Sequence, residues 1–145
     1  MIDDAPAGPA LSEPQYAVLA AFRYELRRFL AFSETAALQA GLPPQQHQAL
    51  LAIAGLAGAE PPTIGWLAGR LLIAPHTAVE LVARMVEADL LTKTRSSQDR
   101  RRMELSLTAK AEILLQTLTA AHLRELRALE PTLARALALS RGGAS

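Results

Sequence analysis

The sequence contains no cysteine. That absence removes disulfides, thiolate nucleophiles, cysteine-ligated zinc and thiol redox switches together, and it fits a reducing compartment. No uninterrupted apolar run reaches the roughly 18 residues that mark a membrane-spanning helix. The opening "MIDDAPAGPALSEP" is acidic and rich in Pro, Gly and Ala, without the basic and apolar segments of a signal peptide. A soluble, cytoplasmic chain with no membrane partner is the expectation. Histidine is scarce. His47, His76 and His122 are the only three, none has a second ligand at metal-binding spacing, and no metal site is expected. There is no Gly-rich phosphate loop, no pair of catalytic carboxylates and no nucleophile beside a base. Neither an enzyme nor a cofactor is expected.

Excess charge is also lacking, with a formal net charge of +1. What charge there is lies unevenly. Between Lys93 and Arg102 the chain holds five of its 15 basic residues and one acid, Asp99. A local concentration of this kind points to an anionic partner even where the total does not. Half of the 145 residues are hydrophobic, enough for one domain with a real core.

Residues 1–11 are expected to form a flexible tail. "SEPQ" then marks a helix start, with Ser12 as N-cap, Pro14 in the first turn and Gln15 three residues after the serine. Phe22, Leu26, Phe29 and Leu30 follow at helical spacing, and Gly41 should end the helix near Ala40. After Pro43 and Pro44, "QQHQALLAIAGLAG" gives a short, largely buried second helix. Thr63 can cap a third, "IGWLAGRL"; "LIA" turns the chain; and Pro75 opens a fourth, "PHTAVELVARMVEAD". Two short helices around a tight turn form a helix-turn-helix pattern. "LLTKT" and "RMELSL" follow as two extended runs, with Met103, Leu105 and Leu107 alternating against Glu104 and Ser106. The polar "RSSQDR" between them is hairpin-loop material. A hairpin directly after a helix-turn-helix is a winged helix. Thr108 caps a long closing helix that Pro131 kinks or breaks before "TLARALALS". The expected fold class is therefore mainly α with a small β-hairpin wing.

On the fourth helix His76, Thr77, Glu80 and Arg84 share an arc about 100° wide, opposite Ala78, Leu81, Val82 and Met85. One face is aliphatic, and the other carries side chains that could reach base edges. In the hairpin, arginine's planar fork of donors suits phosphate oxygens and a narrow minor groove. Asp99 lowers the repulsion among Arg100, Arg101 and Arg102 and can hold one of them in a bidentate pair.

The stretch "APHTAVELVARMVEADLLTKTRSSQDRRRMELSLTAKAEILL" resembles the recognition helix and wing of the MarR/SlyA-type bacterial transcription regulators. Arg84, Met85, Leu90, Asp99, Arg101, Leu107 and Thr108 stand in register with the family pattern. The resemblance extends to "GLPPQQHQALLAIAG" and the flanking helices. It implies a homodimer on a pseudo-palindromic operator in double-stranded DNA, with half-sites about 34–36 Å apart. It implies dimerisation helices in 12–42 and 108–145 and a DNA-binding lobe in 43–107. By position, Arg101 is the wing arginine for the minor groove and Asp99 its structural partner. His76, Thr77, Glu80 and Arg84 take the recognition-helix slots, and Arg95, Ser97 and Arg100 complete the DNA-binding set. Tyr16, Phe22, His47 and Trp66 are candidates for a crevice holding a small aromatic or anionic effector; His47, on an apolar helix, also reads as a hydrogen-bonded core residue. The implied function is a transcription regulator, usually a repressor. The alternative is a winged-helix dimer acting through protein contacts or as a ligand sensor. The chain departs from the pattern at Asp89, where glycine is usual, at Leu72 and Ala74, which replace a turn glycine and a serine-like cap, and at Glu80, where a basic or neutral residue is common.

Overall fold

The computed structural model describes residues 12–142 apart from 57 and 59. The expected N-terminal tail, 1–11, lies outside the described residues. The order of elements is α1 (Glu13–Gln39), α2 (Pro44–Ala54), α3 (Ile64–Leu71), α4 (Pro75–Glu87), β1 (Leu91–Arg95), β2 (Met103–Leu107), α5 (Ala109–Leu126), a 3-10 turn (Arg127–Leu129) and α6 (Glu130–Gly142). They fall into two compact units. One comprises the chain up to Phe32 together with His122 onward, and the other runs from Ser33 to Ala121.

Local chemistry sets most of the boundaries. At the start of α1 the Gln15 side chain accepts from the Ser12 amide at 2.7 Å, one half of a capping box. Thr63 Oγ1 accepts from the Trp66 amide at 3.1 Å and so caps α3. Three helices end in the same hydrogen-bond pattern. The amides of Leu42, Ile73 and Leu90 reach back to the carbonyls of Ala37, Ala68 and Met85, at 2.9, 3.0 and 2.9 Å. Each closure needs a left-handed residue just before it. Gly41, Leu72 and Asp89 take that conformation, with φ of 78°, 57° and 59°. The aliphatic residue that follows then turns inward. Leu42 and Leu90 are buried, and Ile73 packs at the edge of the core.

The core of the Ser33–Ala121 unit draws side chains from every element from α2 to α5. Leu50 of α2, Leu67 of α3, Val82 and Met85 of α4, Leu91 of β1 and Leu105 of β2 are all less than 2 % exposed. Burying an aliphatic side chain of this size stabilises by about 1.5–3 kcal/mol, so the helix-turn-helix and the hairpin are held by one shared core. β1 and β2 pair antiparallel from Leu91↔Leu107 to Arg95↔Met103. A third segment, not anticipated from the sequence, joins them: Thr63 bridges Glu104, and the Leu105 amide donates to the Pro62 carbonyl at 2.8 Å. This ties the hairpin to the start of α3.

In the other unit, His122 stands edge-on to Phe29 and Phe32, with ring centroids 5.8 and 5.2 Å away. The closing helix breaks before Pro131 and not at it. Proline offers no amide, and its ring collides with the carbonyl four residues back, here Arg127. The chain therefore tightens into the 3-10 turn Arg127–Leu129, and Pro131 falls in the first turn of α6.

Candidate nucleic-acid interface

The wing loop satisfies its own backbone before it meets any partner. The buried Ser96 hydroxyl accepts from the amides of Gln98 and Asp99 at 3.2 and 3.3 Å. The Ser96 amide donates to the Arg102 carbonyl at 2.9 Å, and the Arg102 amide to the Asp99 carbonyl at 3.0 Å. Asp99 Oδ1 accepts from the main-chain amide of Arg101 at 3.0 Å. A bidentate carboxylate–guanidinium pair was the expectation for Asp99. Among the described residues the one ion pair is instead Arg28–Glu25, at 3.4 Å on α1. The physical reason is local: an aspartate reaches the amide two residues on more readily than the end of a long, hydrated side chain. Arg95 is also used within the wing, its guanidinium donating to the Arg100 carbonyl across the hairpin at 3.0 Å. Ser97, Arg100, Arg101 and Arg102 are exposed.

On α4, Ala78, Leu81, Val82 and Met85 are buried. His76, Glu80 and Arg84 are exposed and Thr77 is half-buried. Further exposed residues absent from the sequence-based set share this face, among them Val79 at 51 % and Ala83. Apolar side chains are assigned to a core by default; only the angular position, between the buried Val82 and the exposed His76, marks these two as outward. Ala74 supplies no capping side chain, so the first-turn amides of α4 have no side-chain acceptor of their own.

The far end of α4 is fastened to the closing helix. Thr108 Oγ1 donates to the Asp89 carbonyl at 2.7 Å and accepts from the Ala111 amide at 3.2 Å, capping α5. Lys110 Nζ donates to the Ala88 carbonyl at 2.9 Å. One threonine thereby ends α4 and begins α5, which explains a threonine at the close of the wing.

A groove of about 450 Å³ runs between the start of α3, Val79 of α4 and the wing, lined by Thr63, Ile64, Trp66, Arg101, Arg102 and Met103. Arg102 also lines the neighbouring hollows toward Pro61, Glu60 and Glu104. Of the effector candidates, Tyr16 and Phe22 belong to the terminal-helix unit, and His47 and Trp66 to the other. Tyr16 is exposed, Phe22 half-buried, and His47 buried on α2. Phe22 lines an apolar groove of about 430 Å³ with Leu123, Leu126, Leu129 and Leu133. Trp66 packs partly against the core and partly along the groove beside the wing. No cluster of potential metal ligands occurs among the described residues, and none of their helices is long and apolar enough to cross a membrane.

A family model, that of the MarR family, matches residues 40–102, which span α2, the helix-turn-helix and most of the wing. No curated protein matches the sequence. Among solved structures, RV1404 from Mycobacterium tuberculosis is 18 % identical with a TM-score of 0.70, covering 97 % of this chain and 100 % of that one. AbsC, a MarR family transcriptional regulator from Streptomyces coelicolor, is 17 % identical with a TM-score of 0.68, covering 87 % and 84 %. A mutant of MepR from S. aureus, solved bound to an oligodeoxyribonucleotide, is 20 % identical with a TM-score of 0.62, covering 82 % and 81 %. At these identities the structural likeness speaks for the fold alone, and the family match covers the helix-turn-helix and the wing as far as Arg102. The helix-turn-helix and the first strand and loop of the wing thus lie in the segment that matches the MarR family model, and the fold of the chain is similar to that of solved MarR family regulators.

Proposed function

We propose that this protein is a homodimeric, sequence-specific regulator of transcription that binds double-stranded DNA and acts as a repressor. The observation that carries the reading is the pairing, on one compact unit, of an exposed polar face on α4 with a wing tip presenting Arg100, Arg101 and Arg102. The wing backbone is already satisfied by Ser96 and Asp99, so these guanidiniums are not needed to hold the loop. α4 would lie in the major groove, with His76, Thr77, Glu80 and Arg84 toward the bases. Arg101 would enter the adjacent minor groove, where narrow, strongly negative segments attract arginine. Arg100 and Ser97 would contact phosphate. Arg95 would act mainly as a brace through the Arg100 carbonyl.

The dimer is supported by apolar surface on the terminal helices. Tyr16, Leu19, Tyr24 and Leu30 of α1 and Leu123, Leu126, Leu133 and Leu137 near the other terminus are all 42 % exposed or more. Apolar faces of this extent mark interaction sites. A small aromatic or anionic effector is the remaining part of the proposal. It rests on the family resemblance and on grooves lined by Phe22 and by Trp66.

The test is a binding titration of the full chain against fragments of its source genome at two salt concentrations. A subset of fragments should be retained, with affinity falling steeply as salt rises. Uniformly weak binding to all fragments would overturn the reading.

A further inference from the structure

We propose that Glu80 selects a cytosine in each half-site by accepting a hydrogen bond from cytosine N4, while the neighbouring Val79 and Ala83 cover a thymine methyl. The inference rests on α4 being the DNA-reading helix, as proposed above, and adds which bases it reads.

Glu80 stands on the exposed arc between His76 and Arg84. At about 100° per residue the order around the helix is Val79, Ala83, His76, Glu80, Arg84. The side chain is exposed. Among the described residues it enters no ion pair; even Arg84, one turn on, lies beyond salt-bridge distance. Its carboxylate is therefore open to an external donor, and it can only accept.

In the major groove the donors on base edges are cytosine N4 and adenine N6. They differ in what lies beside them on the same base. Adenine N6 neighbours the N7 lone pair, which repels a carboxylate's second oxygen; cytosine N4 neighbours a C–H. Thymine and guanine present acceptors at the equivalent places, and phosphates repel the charge wherever no donor meets it. Glu80 thus lowers affinity for DNA in general and is compensated at cytosine. Val79 and Ala83 add an apolar strip on the same face, 51 % exposed at Val79, with no polar atom to satisfy. The base edge that matches such a strip is the thymine C5 methyl.

The experiment selects bound sequences from a random double-stranded library with full-length wild type, Glu80→Gln and Glu80→Ala. Affinity for a random duplex is measured at the same salt. Glu80 makes no contact that folding needs, so all three should melt alike. In the wild-type half-site one C·G pair should be favoured over the alternatives by roughly ten-fold. In Glu80→Gln that position should change to A·T, because a glutamine amide pairs with adenine N6 and N7. In Glu80→Ala it should lose its preference. Both variants should bind the random duplex several-fold more tightly. Replacing the adjacent thymine with deoxyuridine should weaken wild-type binding several-fold and leave Val79→Ala nearly unaffected. An unchanged consensus in Glu80→Gln, or unchanged random-duplex affinity in both variants, would overturn the assignment while DNA binding itself stands. Enrichment of no sequence by wild type would instead overturn the DNA-binding reading on which it rests.

Discussion

Asp99 grips Arg101 by its main chain: the carboxylate Oδ1 accepts the Arg101 amide at 3.0 Å, and the guanidinium takes no part. The aspartate therefore shapes the wing as an acceptor and does not neutralise the arginine it positions. The two roles predict opposite outcomes for two substitutions. Asparagine keeps the acceptor oxygen and removes a charge that DNA phosphates repel, so Asp99→Asn should bind at least as tightly as wild type. Asp99→Ala loses a bond worth about 0.5–1.5 kcal/mol, which should weaken binding roughly three- to ten-fold. Affinities of both variants for one selected site decide between them. Equal loss in both would show that the charge matters after all.

Thr108 links the end of α4 to the start of α5 through two hydrogen bonds of one hydroxyl. Valine has nearly the same shape and no hydroxyl. Thr108→Val should cost about 1–2 kcal/mol, as loss of a helix cap does, and Thr108→Ser should recover most of it. Denaturant unfolding measures both, and a neutral Thr108→Val would count against the clamp.

The unusual left-handed residues give a stability test of opposite signs. Leu72 is 92 % exposed at φ 57°, so its side chain contributes no burial to offset its backbone strain. Left-handed geometry costs an ordinary residue roughly 1–2 kcal/mol, against about 0.5–1 kcal/mol for the extra chain freedom of glycine. Leu72→Gly should raise stability by about 0.5–1 kcal/mol. Gly41→Ala should lower it by a similar amount through φ alone, since a Cβ there would meet no atom within 4 Å. Thermal melts of the two variants should move in opposite directions.

Under the proposed function, Arg101→Ala should weaken specific binding well beyond assay error. It should also reduce the slope of log affinity against log salt by about one, the signature of one lost phosphate-region contact. An unchanged slope and affinity would remove Arg101 from the interface.

Much of the fold is written in local signals. Thr63, Pro75 and Thr108 sit where helices start, Gly41 sits where one stops, and the alternation of Met103, Leu105 and Leu107 marks a strand. These depend on near neighbours in sequence, which is why they are visible there. The third strand-like segment is different. It needs Leu105 to find the Pro62 carbonyl, and nothing in "EPPT" encodes a distant partner. The left-handed turn at Leu72 is likewise imposed from outside. Ile73 packing against the core fixes the turn, and the leucine accommodates it. In the candidate site, the spacing of Asp99 and Arg101 was legible, but the atom used was not, because spacing cannot separate a side-chain pair from a bond to the amide. Val79 and Ala83 were hidden by their chemistry: apolar residues carry no local mark of facing outward.

The bond from Leu105 to Pro62 has a consequence for solubility. It occupies the outer side of β2, so β1 is left as the open margin of the small sheet. An open margin of unpaired backbone groups invites another chain to add a strand. β1 is only five residues long and carries Lys93 and Arg95. Short length and like charge are both obstacles to such pairing, so the two cations of β1 also keep two wings from zipping together.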